Sequence, residues 1–322
     1  MSYQGCKFLL LPALLSFAAF ATSSAGAQSL YVADGSVGQV VRYNIQTQVN
    51  QGAFTSGYAF STPIGLAFGP NGALFTNDLD NSEIARFKGS TGAFQSVVVP
   101  SSQGGSIIVA DDQTIYESAT YALGQFINGQ FVITDPSRGH ILGYDPQTGS
   151  MKSDYEGAVG GEFGDLRFGP DHNLYVTDDL KNQVVRFDGQ TGTPLGAFTS
   201  GGALQNPFGL DFGPDGNLYV TSRDNHEILR YNGKTGAYLD VFASGAGLSF
   251  PDYAAFGPDH NLYVADFGAN EISRFNGTTG AHTVFASGAG PLAFAPTPEP
   301  GMLALLVGLG GAGGGLLLRR RK

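Results

Sequence analysis

The chemically capable side chains of this chain divide into those that repeat and those that do not. Glu162, Asp165, Asp211 and Asp252, with Arg167 among them, do not repeat in kind. An unlike set of this sort is what an asymmetric site requires. Several carboxylates close together can exchange protons or hold a hard divalent cation. Five aspartates, Asp34, Asp78, Asp135, Asp178 and Asp266, instead close one recurring short pattern, with Ser222 and then Arg223-Asp224 in the sixth place. A carboxylate ring could collect cations, but side-chain caps on the following turns explain the repetition better. His172 and His260 share one context, Gly-Pro-Asp-His-Asn, 88 residues apart, which marks a turn rather than a catalytic pair. His140, His226 and His282 have no fixed partner spacing. Asp78-Leu79-Asp80-Asn81 begins like a calcium loop but lacks its sixth-position glycine and closing glutamate. No Ser-His-Asp elbow, phosphate loop or nucleotide fingerprint is present.

The elements that must position these groups are repeats. Phe-Gly-Pro begins at Phe68, Phe168, Phe212 and Phe256, the last three 44 residues apart. An aromatic, usually after arginine, recurs at Tyr43, Phe87, Tyr144, Phe187, Tyr231 and Phe275. A Leu-Tyr-Val-like strand recurs at Leu30, Leu74, Phe131, Leu174, Leu218 and Leu262. One unit reads as four strands: Phe208–Phe212, Asn217–Thr221, Glu227–Tyr231 and Ala237–Phe242, joined by turns such as Gly213-Pro214-Asp215-Gly216. Apolar spacing of two, not 3.6, excludes helical repeats. Four strands per roughly 44 residues is a β-propeller blade.

The first unit lacks its innermost strand, and Pro291 to Pro296 supplies an orphan copy of it. Pairing the two would close a six-bladed ring and remove an open sheet edge. Blade 3 carries about 14 extra residues between Ser106 and Gln130. Its strand at Phe131 is expected to be the second of the blade, with Ile107–Ala110 and Thr114–Tyr116 as an added hairpin. The arginines before the third-strand aromatics are expected to reach carboxylates on other blades.

The two ends read as addresses. Residues 1–27 have Lys7, an apolar run from Phe8 to Ala21 and a small-residue cleavage site at Ala25-Gly26-Ala27, as in a secretory signal peptide. Cys6, the single cysteine, would leave with it, so no disulfide or Cys-rich metal centre is expected. Residues 28–297 hold the repeats. Residues 298–322 comprise Pro298-Glu299-Pro300, an 18-residue uncharged run, then Arg319, Arg320, Arg321 and Lys322. At about 1.5 Å per residue the run is ~27 Å long, enough for one transmembrane helix.

This tail resembles the PEP-CTERM sorting signal of Gram-negative bacteria. The resemblance implies processing by an exosortase, after signal peptidase has acted at the other end. The chain would be held in the inner membrane on the periplasmic side and then released to the cell surface or extracellular matrix. The repeat, Gly-Leu-x-Phe-Gly-Pro-x-Gly-x-Leu-Tyr-Val-x-Asp followed by Arg-Phe, resembles the NHL repeat and wider six-bladed propellers. Gluconolactonase-like propellers imply a divalent metal on Glu, Asn and Asp, of which Glu162 and Asp252 would mimic two. Ile64-Gly65 and Phe208-Gly209 stand where the asparagine is expected.

The expectation is therefore an all-β, six-bladed propeller, exported and acting as a binding or scaffold protein at the cell envelope or in extracellular polymer. Its partners would be an extracellular polysaccharide or another protein. The alternative is a metal-dependent lactonase or a streptogramin-lyase-like enzyme. Glu162, Asp165, Arg167, Asp211 and Asp252 would line the channel mouth; no catalytic residue, resident metal or other cofactor is assigned. Without its ends the chain holds 12 basic and 26 acidic side chains, a formal −14. That acidity excludes nucleic acid as the main partner.

Overall fold

The computed structural model describes residues 29–102, 104–119, 123–127, 130–135, 138–159, 161–245 and 247–296. The leader, Pro298-Glu299-Pro300, the apolar run and the basic cluster lie outside them. Among the described residues no helix is long and apolar enough to cross a membrane.

Six four-stranded antiparallel sheets form the blades. Blade 1 contains β1 (Ser29–Asp34), β2 (Gln39–Asn44) and β3 (Asn50–Ala53). Blade 2 is β4 (Pro63–Phe68), β5 (Leu74–Asp78), β6 (Glu83–Phe87) and β7 (Phe94–Val99). Blade 3 is β8 (Ile107–Val109), β9 (Ile115–Ala119), β12 (Arg138–Tyr144) and β13 (Met151–Val159). A separate hairpin, β10 (Leu123–Ile127) and β11 (Gln130–Asp135), rises between β9 and β12. Blade 4 is β14 (Phe163–Phe168), β15 (Leu174–Asp178), β16 (Gln183–Phe187) and β17 (Pro194–Ala197). Blade 5 is β18 (Pro207–Phe212), β19 (Leu218–Ser222), β20 (Glu227–Tyr231) and β21 (Tyr238–Ser244). Blade 6 is β22 (Pro251–Phe256), β23 (Leu262–Asp266), β24 (Glu271–Phe275) and β25 (His282–Ser287). β26 (Leu292–Phe294) completes blade 1 by pairing with β1, Leu30 opposite Phe294 and Val32 opposite Leu292. The expected closure of the ring is therefore present.

The repeated residues meet one another, which explains their repetition. The second-strand tyrosine of one blade packs edge-to-face on the first-strand phenylalanine of the next: Tyr31 on Phe68, Tyr175 on Phe212 and Tyr219 on Phe256, each at 4.9 Å. Such pairs add about 0.5–1.5 kcal/mol beyond burial. Two of these tyrosines also donate to the aspartate of the Gly-Pro-Asp turn, Tyr175 to Asp171 at 3.0 Å and Tyr219 to Asp215 at 3.1 Å. The third-strand arginine lies over that turn, Arg186 and Arg230 each 3.8 Å from Asp171 and Asp215. These arginines therefore pair within their own blade, not across blades as expected, because the short strands place third strand and turn side by side.

Junctions between blades carry a polar stitch. Every first strand except the closing one and β8 has a register shift near its start. Thr177 fills the gap in blade 4: its hydroxyl accepts from Asp165 N (3.0 Å) and donates to Phe208 O in blade 5 (2.7 Å). Thr221 bonds Gly209 N and Asp252 O in the same way, both at 2.8 Å. A Thr177→Val protein keeps the shape but leaves two buried backbone groups unpaired. We expect about 2 kcal/mol less stability in urea unfolding.

The strand-end aspartates are structural ties, but only some of their bonds go to the expected turn. Asp78 accepts from Ser61 N and Thr62 N, and Asp266 from Ser249 N and Phe250 N, all in the incoming connection. Asp178 and Asp266 also take Lys181 N and Ala269 N of the following turn. Ser222 does the same work on Gln205. In the calcium-like run, Asp80 accepts from Thr62 Oγ1 and Asn81 donates to Asp78, so those groups face the connection.

Blade 3 corrects two expectations. Ile107–Val109 and Ile115–Ala119 are its own first and second strands, and the added hairpin is β10–β11, which contains Phe131 and Asp135. The hairpin's Phe-Val-Ile-Thr-Asp mimics the repeat, whereas the true strand carries Glu117 and Ala119. Glu117 is fully buried because it anchors a network to blade 2, accepting from Asn77 Nδ2 and Ser102 Oγ (both 2.7 Å) and Gly104 N (2.8 Å).

His172 and His260 are exposed and occupy left-handed backbone, φ 61° and 62°, where blades 2 and 5 have Gly72 and Gly216. The turn geometry expected of them holds. His172→Gly should raise stability by up to about 1 kcal/mol in the same urea assay, because glycine adopts that backbone without a Cβ clash.

Candidate functional site

The first strands ring the axis, so their side chains line the channel. From β14, Asp165 is 1% exposed and receives Arg167 Nη1 on Oδ1 at 2.9 Å. Arg167 also donates to Leu166 O (2.8 Å) and across the channel to Ala254 O of β22 (3.4 Å). Asp211 of β18 accepts from Phe212 N (2.8 Å) and from Phe256 N of the next blade (2.7 Å). Tyr253 reaches across to Ile64 O at 2.7 Å. Burial pushes the Asp165 and Asp211 carboxyls up, and Arg167 opposes both shifts.

A second group sits where first strands begin and second strands end. Asp252, 6% exposed, accepts from Arg223 Nε, and burial again raises its carboxyl against the arginine's pull. The Arg223 guanidinium lies 3.8 Å from the Phe208 ring centre and 5.0 Å from that of Phe250. Glu162 neighbours Asp179, whose carboxyl is pushed up to about 6 by burial first and the Glu162 charge second. Folded protein therefore binds the Asp179 proton more tightly than unfolded chain does. This contribution to stability is complete below pH ~4 and is lost as pH rises through about 6. Glu162→Gln should lower the Asp179 midpoint in a carboxyl NMR titration.

The five sequence candidates thus fall into three neighbouring arrangements: Asp165–Arg167–Asp211, Asp252 with Arg223, and Glu162 with Asp179. Arg223, Asp179, Tyr253 and Ser106 were not singled out. The signal for the first two was positional: the residue after the strand-end aspartate differs in every blade. Among the described residues Asp165 Oδ2 and the buried Ser106 Oγ make no close hydrogen bond, Ser106 lying near enough only to help hold the Asp165 carboxyl down. Both residues line a cavity of about 10 Å³ with Arg167 and Tyr253. Beyond Arg167 the channel widens to about 240 Å³, walled mainly by Leu66, Ile107, Phe256 and Phe294, with Asp211 at its side.

The donor set does not fit the metal that the lactonase resemblance implies. A cation on Asp165 or Asp252 would sit against Arg167 or Arg223, and Glu162 belongs to a different pair. Among the described residues, no group of three or more His, Cys, Asp or Glu side chains is placed to hold a metal ion.

Fold and channel together define a six-bladed β-propeller of four-stranded blades. Solved structures agree on this architecture. A protein of unknown function from Bacteroides caccae is 13% identical, with a TM-score of 0.59 over 84% of this chain and 99% of that one. A chain of the nidogen/laminin complex is 18% identical, with a TM-score of 0.62 over the same shares. A streptogramin B lyase is 17% identical, with a TM-score of 0.52 over 73% of this chain and 72% of the lyase. No protein-family profile and no curated protein matches the sequence.

Proposed function

We propose that this is an exported propeller acting as a binding or scaffold protein at the cell envelope or in extracellular polymer, delivered there by exosortase sorting. The observation that carries the binding half is the state of the inner carboxylates. Asp165 and Asp252 are each held by an arginine, and Asp211 by two backbone N–H groups. Groups tied in this way fix shape and charge rather than transfer protons. Leu180 (63% exposed) directly follows Asp179, and the Phe267 ring (46% exposed) lies 6.2 Å from that of Tyr253, so exposed apolar side chains follow the second strands of blades 4 and 6, a combination suited to a contact face. The address half rests on the signal-like leader and on Pro298-Glu299-Pro300, the apolar run and the basic cluster, in that order. The test is the mature protein's location and intact mass in its host, with and without the exosortase. Unchanged location and mass in the deletion strain would end the sorting reading.

One observation favours the rival reading, an enzyme of the lactonase or lyase kind: the orphan Asp165 Oδ2, buried in the channel. A thermal-shift screen with calcium, magnesium, manganese and zinc separates the two. A selective shift that vanishes in Asp252→Ala, together with lactone hydrolysis, would replace the scaffold reading.

A further inference from the structure

One level of the channel is built from the residue just before the end of each first strand: Ala67, Ile108, Arg167, Asp211, Ala255 and Ala293. All six line the chamber of about 240 Å³. Three of them are alanine, and their short side chains leave its middle open. The chamber is smaller than the usual ligand pocket of roughly 300–1,000 Å³, so it suits a molecule of few heavy atoms.

The next level, at the strand ends, is aromatic. Phe68, Phe256 and Phe294 wall the chamber, each held edge-to-face by a second-strand tyrosine, Tyr31, Tyr219 and Tyr263. Leu66, Ile107 and Leu292 complete the apolar wall.

The alanine level holds one cation and one anion, yet the two do not pair. Arg167 gives Nη1 to Asp165 and to Leu166 O, and Nη2 to Ala254 O. Asp211 has no ion-pair partner among the described residues; its carboxylate takes only Phe212 N and Phe256 N. A carboxylate offers about four lone-pair sites, so acceptor capacity remains. Asp211 is half-buried, and part of it opens to the channel. Two carboxylates, Asp165 and Asp211, thus share one arginine, and one negative charge is left uncancelled among apolar walls.

Such a charge is costly unless something neutralises it. An anionic ligand would add to the excess, and a neutral one would leave it. A cation cancels it, and aromatic walls attract cations as well. We propose that the channel binds a small aliphatic ammonium ion, its head donating to Asp211 and its chain lying among the alanines and phenylalanines. Protonation, which burial favours at Asp211, is the competing way to cancel the charge, so affinity should fall as the pH is lowered. The site does not depend on how the chain is addressed, and it stands or falls apart from the sorting reading.

Isothermal titration calorimetry of the full-length chain in non-ionic detergent, against detergent alone, tests it with alkylammonium chlorides. From propylammonium to hexylammonium the affinity should rise about three- to fourfold per methylene. Hexanol, which cannot make a charged hydrogen bond, should bind at least about tenfold more weakly, and hexanoate should give no heat. Asp211→Asn should weaken hexylammonium binding at least about tenfold, with the melting curve as the check on folding. Val109→Phe fills the chamber and changes no charge; it should abolish hexylammonium binding. Equal affinity for hexanol or hexanoate, indifference to chain length, or unchanged binding in Val109→Phe would overturn the proposal. So would tighter binding of Nα-acetyl-lysine methylamide, which would put the ammonium on a protein partner.

Discussion

Ending the chain at Ala289 should lower the thermal unfolding midpoint by about 10–20 °C, whereas ending it at Pro296 should leave it within about 2 °C. The shorter chain loses β26 and with it the closure of blade 1. Leu292, 3% exposed, packs into the cluster of Leu30, Val32 and Tyr263, and Ala293 into that of Tyr31 and Leu66. Removing one such buried side chain costs about 2–5 kcal/mol. The hydrogen bond from Ala33 N to Pro291 O (3.0 Å) and the whole inner edge of β1 go as well. A combined loss of about 5 kcal/mol or more, at roughly 2–4 °C per kcal/mol for a domain of this size, gives the stated range. Calorimetry on both truncations reads it directly, and equal midpoints would mean that β26 does not hold the ring. The open β1 edge should also make the shorter chain associate, which size-exclusion chromatography would register.

Arg223→Met is the second large effect. Methionine keeps bulk between Phe208 and Phe250 but leaves Asp252 buried without its cation. Breaking a buried pair from one side costs about 3–5 kcal/mol. The sign with pH follows from the carboxyl. Burial already raises it and Arg223 holds it down, so removing the arginine raises it further. The variant should be closest to wild type near pH 4 and lose stability as pH rises, the reverse of ordinary acid denaturation. Arg223→Met with Asp252→Leu should recover most of the loss, because no charge is then buried. Urea unfolding at pH 4 and pH 8 for both variants checks it. A flat difference between the two pH values would show that Asp252 is not the stranded group.

The blade repeat was legible because its residues act locally and then again at every junction. Tyr175, Asp171 and Arg186 recur because turn, second strand and third strand of one blade must meet. Phe212 recurs because Tyr175 needs a ring from the next blade. Blade 3 was misread where local pattern and tertiary role part. Phe131 to Asp135 has the look of a second strand but forms β11, while Glu117 interrupts the motif on the strand that enters the sheet. No spacing rule reveals that Glu117 is tolerated because Asn77, Ser102 and Gly104 satisfy it from outside.

The candidate site was legible as a list of unlike polar residues and no further. Sequence marked Asp165, Arg167, Asp211, Asp252 and Glu162 because they break the repeat. It did not pair Asp252 with Arg223, which come from different blades, or Glu162 with Asp179, which flank two neighbouring strands of blade 4.

By itself, then, the sequence determined the four-stranded unit, the count of six and the strand that closes the ring. Each follows from periodicity and turn chemistry, which are short-range. Only the tertiary structure decided which charges meet. Closing the ring brings six first strands together around one axis, and burial there makes each carboxylate depend on whichever arginine or backbone N–H its own strand and the neighbouring blade supply.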